Sequence, residues 1–600
     1  MTPYQEEYID NTRKIASLLR SRGPVGQGFG PWYEEQEKAF ALVSELRQAN
    51  LRLLNEQLFP ELDRLHGASD ETLDDLIAFA DQLMDWKDNL DCGVYVTIHD
   101  ALLSLYRMRR DRNRVIQELY KLGMGLYYLR RILLGLEGPQ ADPFYFRNEL
   151  TFAEAASYIR YFDRIDDETT KGYIIRSFAN IALCCRSHKR RIDATARTLK
   201  ILKDESYRAQ APGLPWDAFL RGSHQQMSAN RTELSRGDLT AGELAAVLDS
   251  CYEVFKPETG SANPSIRWLW PYYEMEYNCG YVGLALTADR MEELIRMAKP
   301  DQYDVSGFYG NVQLPMYYGR LMKKTPALGR EPKRASFYAW AVEKMLLAVF
   351  SCPAEKYDDY FYYNVAIVAS DYYETENVPP FREVALRLMR RMNKFLYIRS
   401  RRMGKMMRCF CEAIYRREPA FFDDIPFLKA MQPGEGKEKA LLDYAEGCGL
   451  FCDFGLLKMN ITRQRFTRSL FEREDEMVRL HTAGGWEDLR AKASTETFAD
   501  IALGHHSWYN GSNADGSGYI RGRSPYRQMT DVAAVVAYLA ENADLPDDAL
   551  IGGVFAGERR RFSPPVTAYL REDALRADLL SVLRGDDREY YLEIYEELIS

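Results

Sequence analysis

Residues 70–84 read DETLDDLIAFADQLM, and their apolar positions follow the three- and four-residue steps of an α-helix. The residues that make this stripe are Leu73, Leu76, Ile77, Phe79, Ala80 and Leu83. Their spacing places them on one helix face. Ser69 or Asp70 is suited to cap the first turn, because a short polar side chain accepts a hydrogen bond from an unpaired backbone N–H. The stretch therefore predicts an amphipathic helix.

The same period returns as far as about residue 378, with short polar breaks that contain proline and glycine. It is found in residues 150–162, 169–183, 239–254, 289–297, 335–349 and 357–369. Alternating apolar and polar runs, which are typical of strands, are scarce. We therefore predict an all-α protein in which residues 1–380 form a helical repeat-like array, a TPR-like solenoid that serves as a sensor or binds a protein partner. No clean period of about 34 residues, as in the tetratricopeptide repeat, is found. The sequence does not identify the partner.

Length and composition exclude several classes of protein. The chain has 600 residues, which favours more than one domain, and its net charge of −9 argues against general nucleic-acid binding. No apolar run is long enough for a membrane span, and the first residues lack the pattern of a signal peptide. Ten cysteines are too few for a disulfide scaffold and fit reduced thiols. We expect a cytoplasmic protein.

The last third of the chain contains three of the seven histidines, His481, His505 and His506. The adjacent pair lies in residues 499–511, which read ADIALGHHSWYNG, and a glycine-rich segment with Gly518 and Tyr519 follows. Neutral imidazole is a common ligand of transition metals, and two adjacent histidines near a third are unusual. The pattern therefore indicates a metal site.

These residues resemble the HD-GYP branch of the HD phosphohydrolase superfamily, whose members hydrolyse cyclic dinucleotides. The family pattern His-His-Glu-x-x-Asp-Gly-x-Gly-Tyr-Pro is visible from His505, with Ser507, Asn510 and Ile520 replacing its Glu, Asp and Pro. Four further segments are similar to family motifs in the right order: residues 399–403 (RSRRM), 449–456 (GLFCDFGL), 474–481 (EDEMVRLH) with Gly485, and 557–566. The resemblance covers residues 381–600 and implies an all-helical HD-GYP-like domain.

The resemblance implies that one of the two family metal sites is retained. Carried over by position, its ligands are Asp453, His481, His505 and His506, and Asp453 is also the expected catalytic residue. They would hold one divalent transition metal, Fe, Mn or Zn. The other ligand set is lost, since Arg399 and Cys452 stand where the family has histidines. Its late Asp falls on Ala537, or in an alternative registration on Asp531, and Leu456 replaces a lysine.

This pattern predicts a signalling domain that is catalytically weak or inactive and binds one metal ion, a phosphate-bearing ligand of the cyclic dinucleotide class, or both. Arg399 cannot ligate a cation, but its guanidinium could bind a ligand phosphate. We expect Arg402, Gly518 and Tyr519 to help bind that ligand. The alternatives are an active metal-dependent phosphodiesterase and a non-enzymatic helical scaffold. Cys452 is either a thiolate ligand of a soft metal or a small buried helix residue.

A basic segment without any acidic residue extends from residue 384 to residue 411. Its basic residues are Arg387, Arg390, Arg391, Lys394, Arg399, Arg401, Arg402, Lys405 and Arg408. One interpretation is a solvated helix face, or a face paired with the acidic helical array. The other is an anion-binding wall for phosphates, continuous with Arg399.

Overall fold

A computed structural model describes residues 1–21, 23–84, 90–133, 141–230, 239–258, 265–353, 356–459, 466–511 and 526–599. Within these ranges the protein is helical and contains no strand, and an isolated bridge joins Glu558 and Phe562. The prediction of an all-α protein is confirmed. Among the described helices, none is both long enough and apolar enough to cross a membrane.

Nineteen described helices precede residue 380 and are numbered here in chain order. They are α1 (Pro3–Arg20), α2 (Phe29–Leu53), α3 (Phe59–Asp63), α4 (Asp70–Leu83), α5 (Cys92–Arg109), α6 (Arg112–Leu129), α7 (Asp142–Ser157), α8 (Glu168–Cys184), α9 (His188–Leu202), α10 (Glu205–Gln210), α11 (Trp216–Ser228), α12 (Ala241–Phe255), α13 (Ile266–Asn278), α14 (Leu284–Met297), α15 (Val305–Phe308), α16 (Leu314–Lys324), α17 (Pro326–Gly329), α18 (Pro332–Phe350) and α19 (Asp359–Asp371).

The described helices of the remaining chain surround the histidines. They are α20 (Phe381–Met392), α21 (Lys394–Arg417), α22 (Pro426–Lys429), α23 (Glu435–Phe451), α24 (Glu472–Arg479), α25 (His481–Arg490), α26 (Glu496–Gly504), α27 (Arg527–Glu541), α28 (Asp547–Ala556), α29 (Pro564–Tyr569), α30 (Asp573–Arg584) and α31 (Arg588–Ile599). A 3₁₀ turn at Phe454–Lys458 follows α23.

The helix predicted for residues 70–84 is α4. Ser69 is its N-cap, and its side chain accepts a hydrogen bond from the backbone N–H of Thr72 at 3.2 Å. The buried residues of α4 are Leu73, Leu76, Phe79, Ala80 and Leu83. The other six predicted stripes also fall on helices, because burial of one apolar face stabilises each of them.

From α5 to α9, each helix packs against the next one along the chain, and the same holds from α11 to α13. The largest buried apolar cluster nevertheless runs from Tyr8 in α1 to Ile594 in α31. This cluster includes Val378 and Phe381, on either side of the expected domain boundary near residue 380. Two smaller apolar clusters lie among helices α6 to α13, around Trp216 and Met227.

A fully buried ion-pair network joins the N-terminal helices to the C-terminal part. The Arg468 guanidinium donates two hydrogen bonds to Asp91, at 2.7 and 2.6 Å, and two to Glu474, at 2.7 and 2.8 Å. None of the three side chains is more than 1% exposed. Asp91 is the N-cap of α5, so this network ties the start of that helix to the segment before α24. The N-terminal helices thereby hold a fixed place beside the C-terminal histidines.

Candidate metal centre

Asp453 lies directly after α23, where the chain turns into the 3₁₀ segment. The turn continues with Gly455, which packs against the first turn of α25. A Cβ atom on Gly455 would lie 1.9 Å from the carbonyl oxygen of His481, so only glycine permits this approach. The close contact between the two backbones brings the Asp453 carboxylate to His481.

Backbone carbonyls orient two of the imidazoles. His481, the first residue of α25, has its Nδ1 atom 2.8 Å from the carbonyl oxygen of Val478. His505, the C-cap of α26, has its Nδ1 atom 2.8 Å from the carbonyl oxygen of Ala502. A carbonyl only accepts, so each Nδ1 carries a proton, and Nε2 is the ring atom left to bind a metal. This is the orientation that second-sphere hydrogen bonds give to metal-binding histidines.

The two Nε2 atoms and one carboxylate oxygen meet at one point. Oδ1 of Asp453 lies 3.3 Å from Nε2 of His481 and 3.4 Å from Nε2 of His505, and these nitrogens are 3.4 Å apart. His506 completes the group, with all four donor atoms within 4.8 Å of one another and all four residues buried. The structure thus brings together the four residues that the resemblance implies.

The donor atoms fit a divalent transition metal. Oδ1 of Asp453 accepts no well-directed hydrogen bond from a described residue, and buried acceptors that face one another are costly without a cation between them. Ligand distances of about 2.0–2.2 Å in a tetrahedral site place the donor atoms about 3.3–3.6 Å apart. The three separations among Asp453, His481 and His505 agree with that spacing. Three imidazoles and one carboxylate suit Fe, Mn or Zn.

Burial and neighbouring charges shift the pKa values of two of the four ligands, Asp453 and His506. Burial by itself raises the pKa of Asp453, but the Arg399 guanidinium and the polar contacts of His481 and His505 outweigh it and hold that pKa well below its usual range. Burial, together with the neighbouring His505 and His481, lowers the pKa of His506 well below its usual range. The carboxylate is therefore ionised and His506 is neutral at physiological pH.

Arg399 lies on the other side of the Asp453 carboxylate. Its Nε atom is 2.9 Å from Oδ2, whereas the imidazoles approach Oδ1. Its Nη2 atom is 3.6 Å from a carboxylate oxygen of Glu541, and the same oxygen is 3.4 Å from Nε2 of His506. The Arg399 guanidinium thus contacts Oδ2 of Asp453, while the imidazoles approach Oδ1.

Glu541 is a site residue that the sequence prediction missed. It ends α27, four residues after Ala537, the position to which the late Asp of the family was assigned. That helical spacing places both residues on one face and is the signal that could have identified it. Ala537 itself is buried and has no ligating group. Asp531, the alternative registration, is hydrogen-bonded to Ser563, and burial raises the pKa of its carboxyl to about 6.

Cys452 lies outside the cluster of four donor atoms. Its side chain is fully buried, and burial raises its pKa well above the usual range. Burial thus favours the protonated thiol over the thiolate. Of the two interpretations, the structure favours a small buried residue at the end of a helix.

A cavity of about 320 Å³ opens beside the cluster. Its walls come from the C-terminal helices, the segment before α24 and helix α2. The residues that line it are Arg47, Arg399, Asp453, Leu456, Ser469, Leu470, Asp475, Val478, His481 and Glu541. The volume lies at the lower end of the range for small-molecule sites, about 300–1,000 Å³.

The basic segment corresponds to α20 and α21, and most of its charges are paired within the protein. Arg402, expected to bind phosphate, donates two hydrogen bonds to Asp587, at 2.9 and 2.8 Å, and is not among the cavity residues. The other ion pairs to the last helix are Arg387–Glu597, Arg390–Glu597, Arg401–Glu593 and Lys405–Glu589. The interpretation of the basic segment as an anion-binding wall is therefore wrong, and the segment forms a helix–helix interface. Its acidic partner is α31 and not the N-terminal array, because α31 packs along α20 and α21.

Gly518 and Tyr519, the other two residues expected to bind the ligand, lie outside the described residues. No protein-family model matches the chain, and no curated protein or solved structure is similar to it. The case for a function therefore depends on the geometry of the site.

Proposed function

We propose that the protein binds one divalent transition metal ion through Asp453, His481, His505 and His506, and a phosphate-bearing ligand in the adjoining cavity. The C-terminal part is then a divergent HD-GYP-like domain that has kept one of two metal sites. The helices before residue 380 act as its sensor or partner-binding array. Hydrolysis of phosphodiesters is weak or absent in this protein.

The contact between Arg399 and Asp453 carries the one-metal part of the proposal. A carboxylate bridges two ions by giving one oxygen to each. Here Oδ1 faces the imidazoles and Oδ2 faces the guanidinium at 2.9 Å. A permanent positive charge at Oδ2 repels a second cation and compensates the carboxylate in its place.

The residues around the cavity support the proposal that catalysis is weak. A bound divalent ion supplies a Lewis acid, whereas two-ion sites stabilise both the attacking and the leaving oxygen of a phosphoryl transfer. Leu456 lines the cavity where the family has a lysine, so one charge for a developing oxyanion is missing. The Arg399 guanidinium remains near the cluster, but Asp453 and Glu541 compensate its charge.

Metal analysis tests the metal-binding half. Protein purified without chelator, from cells supplied with Fe, Mn and Zn, is expected to contain one equivalent of metal per chain. His481→Ala and His505→Ala should each reduce bound metal to background, because each removes an Nε2 donor. His99→Ala is the matched control, since His99 is equally buried but pairs with Glu118 at 2.6 Å. A metal-free wild type, or equal metal in all variants, would contradict the proposal.

An active phosphodiesterase that uses one ion is the second candidate. The observation in its favour is that Asp453 and His481 line the cavity beside the cluster, where a phosphoester would bind. Turnover of cyclic di-GMP with added Mn or Fe that disappears in Asp453→Asn would establish it. No turnover in metal-loaded protein would remove it and leave the binding function.

A further inference from the structure

The N-terminal helix α2 contributes a positively charged side chain to the cavity. Arg47 lines it together with Arg399 and His481, which lie more than three hundred residues further along the chain. The Nε atom of Arg47 is buried without a hydrogen-bond partner. Its guanidinium forms no ion pair with any residue that the structure describes. Burying a guanidinium in part without a counterion costs free energy, and an anion bound beside Arg47 would reduce that cost.

A buried contact fixes the position of Arg47. Asn50, one turn later on α2 and fully buried, donates a hydrogen bond to the carbonyl oxygen of Thr467 at 3.1 Å and approaches the Thr12 hydroxyl at 3.3 Å. Thr467 precedes Ser469, which lines the same cavity. The contact therefore anchors α2 against the cavity wall, and Arg47 on this helix lines the cavity.

The carboxylates that line the cavity are already compensated by other cations. Asp453 and Glu541 face Arg399, and Asp475 pairs with Arg479 at 2.6 Å. None of these carboxylates lies within ion-pair distance of Arg47. The charge that Arg47 brings to the cavity is thus available to a ligand.

We infer that Arg47 binds a phosphate group of the ligand in this cavity, so that the N-terminal helix is part of the ligand site. The inference deepens the proposed function and rests on its ligand-binding half. A guanidinium presents several N–H donors in a planar fork that matches phosphate oxygens. A phosphate between Arg47 and the histidine cluster would contact both parts of the chain, so the affinity of the ligand depends on the packing of α2.

Calorimetric titration of the metal-loaded full chain tests the inference, with inorganic phosphate and cyclic di-GMP as separate probes. We expect Arg47→Met to weaken binding of the preferred probe at least tenfold, and Arg47→Lys to weaken it less, because lysine keeps the charge but not the fork. Arg52→Met is the matched control: Arg52 is an exposed arginine of the same helix and should bind like wild type. The preferred probe distinguishes a free phosphate from a cyclic dinucleotide ligand.

Metal content and thermal unfolding of the same samples separate the possible failures. Arg47→Met should retain the wild-type metal content and melting temperature, so that a lost affinity reports the ligand contact. Equal affinity of wild type and Arg47→Met overturns the inference and leaves the metal site standing. Binding of neither probe by wild type also overturns it. Loss of affinity in Arg47→Met without bound metal supports Arg47 and contradicts only the metal half of the proposed function.

Discussion

Replacing Arg468 by methionine is expected to lower the free energy of unfolding by about 3–5 kcal/mol. The guanidinium makes four charge-assisted hydrogen bonds to Asp91 and Glu474, and its carbon atom lies 3.9 Å from the ring centre of Phe471. Methionine fills most of the volume but leaves two buried carboxylates close together without a cation. Removing one partner of a single buried pair already costs about 3–5 kcal/mol, so two orphaned carboxylates place the expected loss at the upper end.

The measurement is urea denaturation followed by circular dichroism, together with hydrogen exchange of the α5 amides, which report on local opening. Arg473→Met, in the same segment, is the control and should change stability by no more than about 0.5 kcal/mol. The triple variant Arg468→Met, Asp91→Asn, Glu474→Gln removes the buried charges as well and should recover at least half of the loss. A loss below about 1 kcal/mol in Arg468→Met, or no recovery in the triple variant, would refute the reasoning from buried charge.

Two further predictions concern the site and its surroundings. Gly455→Ala should displace the first turn of α25 and release metal, because its Cβ would lie 1.9 Å from the carbonyl oxygen of His481. Gly552→Ala, with nothing within 4 Å of its Cβ, should leave metal content unchanged. Asp531→Asn should stabilise the fold at pH 7.5 by at most about 3 kcal/mol and not at pH 4. The pKa of Asp531 is raised to about 6 in the folded protein, so ionisation of its carboxyl destabilises the wild-type fold as pH rises from about 4 through 6. Thermal unfolding at both pH values checks the sign, and equal shifts in melting temperature at both would contradict it.

Local sequence patterns were sufficient to predict the helices. The stripe in residues 70–84 and its Ser69 cap reappear as α4, because the helical period and capping depend on residues three or four positions apart. The cluster of Asp453, His481, His505 and His506 was predicted in a different way, from segments that resemble one family. The structure brings these residues together, and the identity of a bound metal stays a prediction.

Local sequence patterns did not predict contacts between distant parts of the chain. The basic residues of α21 gave the same sequence signal whether they faced solvent, a phosphate or another helix, and only the packing of α31 pairs Arg402 with Asp587. In the sequence, Glu541 and Arg47 do not differ from other charged residues on amphipathic helices. Only the fold places them beside Asp453.

The amino-acid sequence alone thus determined the helical class and the helix positions, since these follow from short-range periodicity, and the resemblance to one family predicted the donor residues. The tertiary structure decided which charges are neutralised and which face the cavity. That outcome depends on burial and on pairs such as Asn50 with Thr467, which lie 417 residues apart, and no local pattern encodes the electrostatic partner of a side chain.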